Sequence, residues 1–92
     1  MNGAAPRYTV RYEPRAFKEL AKLDKPMARR LVRAIDRLAD QPRPSGVRPL
    51  AGHPDLWRLR VGDYRAVYAI RDAELLVLMV RIAHRGTVYR EL

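Results

Sequence analysis

The chain has 92 residues, is 48% hydrophobic and contains no cysteine, so one domain with a modest core is expected, without disulfides or thiolate metal sites. Its two histidines, His53 and His84, are too few to build a tetrahedral zinc site, and no apolar run approaches the roughly 20 residues that cross a bilayer. Nineteen Lys and Arg against ten Asp and Glu leave a net charge of +9, which points to a polyanionic partner, either a nucleic acid or an acidic protein. Apart from Lys18, Lys22 and Lys25 the cations are arginines, whose planar guanidinium forks onto phosphate and stacks on bases. The N-terminus, MNGAAPRYTV, has no apolar stretch like that of a signal peptide, so a reducing cytoplasm and no membrane contact are expected.

Residues 1–7 are expected to be a disordered lead, and YTVRY (8–12) alternates like a short strand. Pro14 suits a first helical turn, after which Phe17, Leu20, Ala21 and Leu23 share a helical stripe that ends near Asp24. Asp24 is placed to cap a second helix, with Pro26 in its first turn and Met27, Leu31, Ile35 and Leu38 at helical spacing until Pro42 and Pro44. The opposite face of that helix carries Arg29, Arg30, Arg33 and Arg37. QPRPSGVRP and LAGHPD read as loop and turn by composition. From Leu56 the period becomes two: LWRLRV is a strand, Gly62-Asp63 a hairpin turn, YRAVYAIR the return strand, Asp72-Ala73 a second turn, and ELLVLMVRIAH a third strand. Strand, helical hairpin, then a three- to four-stranded antiparallel meander packed on the helices is an α+β architecture, one domain over residues 1–92.

Residues two apart on a strand share a face, about 6.6 Å apart along it. Trp57, Leu59 and Val61 therefore share the core face, with Arg58 and Arg60 opposite; Tyr64, Ala66, Tyr68 and Ile70 share it on the next strand, with Arg65 and Arg71 opposite. In the last strand the same alternation assigns Leu76, Leu78, Val80 and Ile82 to the core and leaves Arg81 and Arg85 with Val77 and Met79 on the other side. With the helices covering the apolar faces, Arg58, Arg60, Arg65, Arg71, Arg81 and Arg85 are expected on one uncovered face, where Asp63 is the one nearby acid of the hairpin. Taken singly, a charged residue on the solvent side of a sheet is simply solvated; six of one sign suggest an anion-binding surface. His84 and His53 read as surface or structural residues, and Trp57, Tyr64 and Tyr68 as core residues rather than stacking platforms.

The block L-x-G-x-P-D-x-W-R-L-R-V-G-D-Y-R-x-V-Y, from Leu50 to Tyr68, and the tail I-A-H-R-G-x-V-Y, from Ile82 to Tyr89, resemble the RelE/ParE superfamily of bacterial toxin–antitoxin toxins. The similarity extends over nearly the whole chain from Tyr8. It implies a type II toxin and, on the RelE-like branch, a ribosome-dependent endoribonuclease that cleaves mRNA. By motif matching, the family's catalytic cluster would be Arg58 and Arg60 on the first meander strand, Arg65 after the hairpin tyrosine, and Arg85 and Tyr89 at the C-terminus. Arg71 and Arg81 would add RNA-binding charge. The resemblance also implies a cognate acidic, RelB-like antitoxin, the ribosome and mRNA as partners, and operator DNA only as the toxin–antitoxin complex.

Cleavage of RNA by its own 2′-hydroxyl needs a base for that hydroxyl, cations for the charge developing on phosphate and an acid for the departing 5′-oxygen. Arg58 and Arg65 suit the second task, Arg85 the leaving group, and Tyr89 base stacking or positioning of the nucleophile. No cofactor is expected, because there is neither a phosphate-cradling glycine loop nor a metal-ligand set. Two other readings are a ParE-like toxin that inhibits DNA gyrase without cutting RNA, and a catalytically weak nucleic-acid-binding member of an autoregulatory complex.

Overall fold

In the computed structural model, which describes residues 7–86, strand β1 (Thr9–Tyr12) leads into helices α1 (Pro14–Ala21) and α2 (Lys25–Asp36). Pro14 and Pro26 both lie in first turns, where a backbone N–H would have no intrahelical acceptor. The Asp24 carboxylate accepts the Met27 N–H at 3.2 Å and caps α2, as its position in the sequence suggests. Helix α1 ends at Ala21 rather than near Asp24, because the N–H groups of Lys22 and Leu23 bond three residues back, to Glu19 and Leu20, and tighten the last turn. Past Asp36 the chain makes one 3-10 turn over Arg37–Ala39. The expected lead lies outside the described residues except for Arg7, whose Nε is 2.7 Å from the Asp40 carboxylate.

Four further strands follow: β2 (Arg48–Leu50), β3 (His53–Val61), β4 (Tyr64–Arg71) and β5 (Leu76–His84). The sheet order is β1-β5-β4-β3-β2, with β2 to β5 an antiparallel meander and β1 parallel to β5 at the opposite edge. Two stretches that read as loop and turn are strand here. Arg48–Leu50 pairs with β3 as a three-residue edge strand, a place that tolerates Pro49, and β3 begins at His53 within the supposed turn. The Gly62-Asp63 turn closes the β3–β4 hairpin, with Gly62 at φ +59°. The β4–β5 connection is longer than two residues, a 3-10 turn over Asp72–Glu74 followed by Leu75 in the left-handed region.

The helical hairpin covers one sheet face. Leu31, Ile35 and Leu38 are fully buried against Ala66, Tyr68, Val77 and Met79, with Trp57, Leu59 and Val61 packed around them, so the expected parity of β3 and β4 holds. Truncating a buried leucine or isoleucine of this kind to alanine costs about 2–5 kcal/mol. The stripe expected of helix α1 holds at Leu20 and Leu23, which pack against the core, but Ala16 is buried where Phe17 and Ala21 were expected, and Phe17 is 62% exposed.

Strand β5 departs from simple alternation. Val67 pairs with Arg81 but Tyr68 with Met79, so β5 carries Val80 as an extra residue and its parity shifts there. Val77 and Met79 therefore face the helices in place of the expected Leu76, Leu78 and Val80, while Ile82, beyond the bulge, faces them as expected. Among the described residues no helix is long and apolar enough to cross a membrane.

Candidate nucleic-acid site

The face of the sheet away from the helices holds a cluster of arginines at the hairpin end. Alternation along β3 sends Arg58 and Arg60 to this side, and the antiparallel registers set Arg65 of β4 opposite Arg60 and Arg48 of β2 opposite Arg58. Like charges directly across two strands repel and weaken the pairing, so this arrangement is not explained by sheet stability. Together with Gly46 these four arginines line a recess of about 180 Å³ that has no acidic residue in its wall. Arg48 was missed in the sequence because it sits in RPL, and the signal that would have found it is the reading of that tripeptide as an edge strand.

Arg65 Nη1 donates to the Tyr64 carbonyl at 3.3 Å and Arg60 Nε to the Gly62 carbonyl at 3.4 Å, both long for such bonds. A guanidinium's forked N–H groups can bind two non-bridging oxygens of a phosphate at once. Arg85 is exposed just past β5, where its backbone N–H bonds the Asp63 carbonyl at 2.8 Å and so sits against the hairpin turn. Ala83 pairs with Arg65 and His84 with Tyr64, so alternation gives Arg85 the face that Arg65 occupies. Tyr89 lies outside the described residues. His84 is exposed on the other parity, edge-on to the Tyr64 ring at 5.6 Å, as a surface histidine.

Two of the expected cations are not in this cluster. Arg81 is a correction: it is 3% exposed, and its Nε donates to both carboxylate oxygens of Glu19 on α1, at 3.2 and 2.9 Å. The same carboxylate accepts the Ile82 N–H at 2.8 Å. It thereby satisfies the part of β5 that runs on past its pairing with β1, and Arg81 serves the fold there. Arg71 does project from β4 but at its far end, six residues and about 20 Å from Arg65, with Glu74 at 3.9 Å.

At that far end the charges are matched. Arg43 grips Asp72 through two bonds of 3.2 and 2.9 Å, Tyr8 donates its hydroxyl to the same carboxylate at 2.5 Å, and the Arg43 guanidinium lies 5.5 Å from the Trp57 ring centre. The bonds from Arg43 and then Tyr8 hold the Asp72 carboxyl below its usual range, and the Asp72 bond raises Tyr8 and Arg43 in turn. Tyr68 is buried with its hydroxyl donated to the Pro42 carbonyl at 2.7 Å, and burial pushes it up to about 12. Trp57 and Tyr68 are thus packing residues, as expected. Among the described residues no group of three or more His, Cys, Asp or Glu is placed to hold a metal ion.

Comparison with known proteins agrees with the fold. The model of the ParE toxin of type II toxin–antitoxin systems (parDE) matches residues 10–89. The chain is 34% identical over 87 residues to toxin RelG of Mycobacterium tuberculosis, covering 90% of this chain and 97% of that one. It is 30% identical over 88 residues to the mRNA interferase toxin RelE of Escherichia coli, covering 91% and 92%. Among solved structures, the archaeal RelE–RelB complex of Pyrococcus horikoshii superposes with a TM-score of 0.77 at 30% identity, covering 89% of this chain and 99% of that one.

Proposed function

Since the chain belongs to the RelE/ParE superfamily of type II toxin–antitoxin toxins, we propose that it is an endoribonuclease that cuts mRNA on the ribosome, through Arg58, Arg60, Arg65, Arg85 and Tyr89. The observation that carries the proposal is the recess in which Arg48, Arg58, Arg60 and Arg65 converge without an acid in its wall. The scissile phosphate enters that recess, and the 2′-hydroxyl of the preceding ribose attacks it in line. The P–O5′ bond breaks and the departing oxygen takes a proton from water, leaving a 2′,3′-cyclic phosphate and a 5′-hydroxyl. Arg58 and Arg65 bind the non-bridging oxygens as charge builds on them, and Arg85 stabilises the departing oxygen.

Proton abstraction falls outside the arginines. A guanidinium keeps its proton above a pKa of roughly 12, so Arg60 acts as a fixed cation. Of the five residues only Tyr89 can take up a proton, as a phenolate stabilised by cations. The antitoxin of this reading is RelB-like: an acidic chain laid over the arginine face would neutralise the charge that binds RNA. The solved relative in complex with RelB supports such a partner.

The ParE name of the matching family model keeps a second reading in view, in which the same arginines bind DNA gyrase. Ribosome profiling after induction separates the two. Cleavage within translated codons is expected; a DNA-damage response with intact messages would replace the RNase assignment with the gyrase one.

A further inference from the structure

Helix α2 carries a second set of arginines that the proposed catalytic cluster does not use. Arg30 and Arg33 on its outer side and Arg37 just past its end, in the 3-10 turn, recur at helical spacing and, with Ala34, Val61, Gly62 and Arg60, line a groove of about 360 Å³. A solvated helix face is usually laced with acids at i±4. Here Arg33 has Arg29 four residues before it and Arg37 four residues after, a like-charged row that weakens the helix. The nearby acid Asp40 is paired with Arg7 at 2.7 Å. Among the described residues none of Arg30, Arg33, Arg37 and Arg60 has a carboxylate within ion-pair distance.

Arg60 also lines the recess on the open sheet face, so the two concavities meet at one side chain. It can serve both because β2 pairs with β3 only as far as Arg58 and leaves the sheet edge uncovered beside Arg60. At the hairpin tip a Cβ on Gly62 would stand 3.5 and 3.7 Å from the two terminal nitrogens of Arg30, so the α2 guanidinium lies directly over the turn. The positive surface therefore passes from the sheet, around its edge, onto the helix.

We propose that this is a track for the sugar–phosphate backbone of the RNA strand that reaches the recess, with Arg60 as the junction and Arg33 and Arg37 holding phosphates outside the cleavage site. The proposal rests on the RNA-cutting reading of the recess. The seven residue steps from Arg30 to Arg37 span about 10 Å at helical rise, the length of about two nucleotides of extended backbone. The track thus extends the footprint of the recess by that amount and predicts a dependence on RNA length.

The test is binding of the wild-type chain and of an Arg33→Gln/Arg37→Gln double variant to 2′-O-methyl RNA of 6 and 20 nucleotides, which has no hydroxyl nucleophile and stays intact. The 20-mer should lose about tenfold in affinity in the double variant, and its plot of log affinity against log salt should become shallower by about 1.4, for two phosphates released. Most of the advantage of the 20-mer over the 6-mer should disappear. A Lys18→Gln/Lys22→Gln variant removes the same charge from α1 and should cost the 20-mer less than threefold. Unchanged 20-mer binding, or an equal loss from the lysine pair, would overturn the track; so would a loss confined to a 20-residue polyglutamate probe, which would assign the row to an acidic protein. Failure here is distinct from failure of the RNase reading, which is decided by whether the unmodified chain cuts ribosome-bound message.

Discussion

The two ends of the sheet use the same residue type in opposite ways. At the end away from the β3–β4 hairpin tip, Arg43 is held by Asp72 and Tyr8 and lies near Trp57, while Arg71 has Glu74 within 3.9 Å. At the hairpin end, Arg48, Arg58, Arg60 and Arg65 line a recess without an acid. One set is locked into the fold; the other holds cations close together against their mutual repulsion, which is useful when a phosphodiester arrives. The contrast shows that arginine count says little about a site, and that the position of the acids says a great deal.

The sharpest way to break this contrast is at the hairpin end. Arg65→Ala and Arg85→Ala should each abolish growth arrest and lower cleavage about 10²–10³-fold, the range for removing one donor from a developing oxyanion, with circular dichroism unchanged. Retained toxicity in either folded variant would count against the site. Next in size, Glu19→Ala should strip the buried Arg81 of its counter-charge and cost about 3 kcal/mol in denaturant unfolding. Chain remaining folded at low temperature should still cut RNA there, because that pair lies outside the recess. A stability loss below about 1 kcal/mol would show that the pair does not matter to the fold.

Two further effects lie outside the recess. Arg43→Ala should lower Tm by a few degrees, about 4–8 °C per kcal/mol in a domain of this size, and leave cleavage within about twofold. The other is on pH dependence. Burial raises the Tyr68 and Tyr12 hydroxyls to about 12 in the folded chain against 10.0 when exposed. Their contribution is fully present below pH 10 and is lost as pH rises toward 12, so the unfolding midpoint should fall over that interval. Tyr68→Phe should flatten part of the fall, and an unchanged profile would contradict the burial argument.

Much of this was readable from the chain because β3 and β4 alternate without interruption. Trp57, Leu59 and Val61 against Arg58 and Arg60, and Ala66 and Tyr68 against Arg65, follow from period two alone. Strand β5 was misread because a single extra residue, Val80, shifts parity, and an apolar run gives no sign of where a bulge falls. Arg81 could not be assigned from local pattern, since its partner Glu19 is 62 residues away and joins it only when α1 crosses β5. Strand β2 was hidden by its length and its proline, and Arg48 with it. The sequence pattern therefore located the center of the cluster, while long-range partners decided its membership.

The central claim is that the arginine-lined recess at the hairpin end of the sheet is where RNA is bound and cut. It is tested most directly by cleavage of a ribosome-bound message with purified Arg65→Ala and Arg71→Ala proteins, two substitutions on the same strand and the same face. The account predicts loss of cleavage for Arg65→Ala and a rate within about threefold of wild type for Arg71→Ala. Equal loss in both, or none in Arg65→Ala, would contradict it.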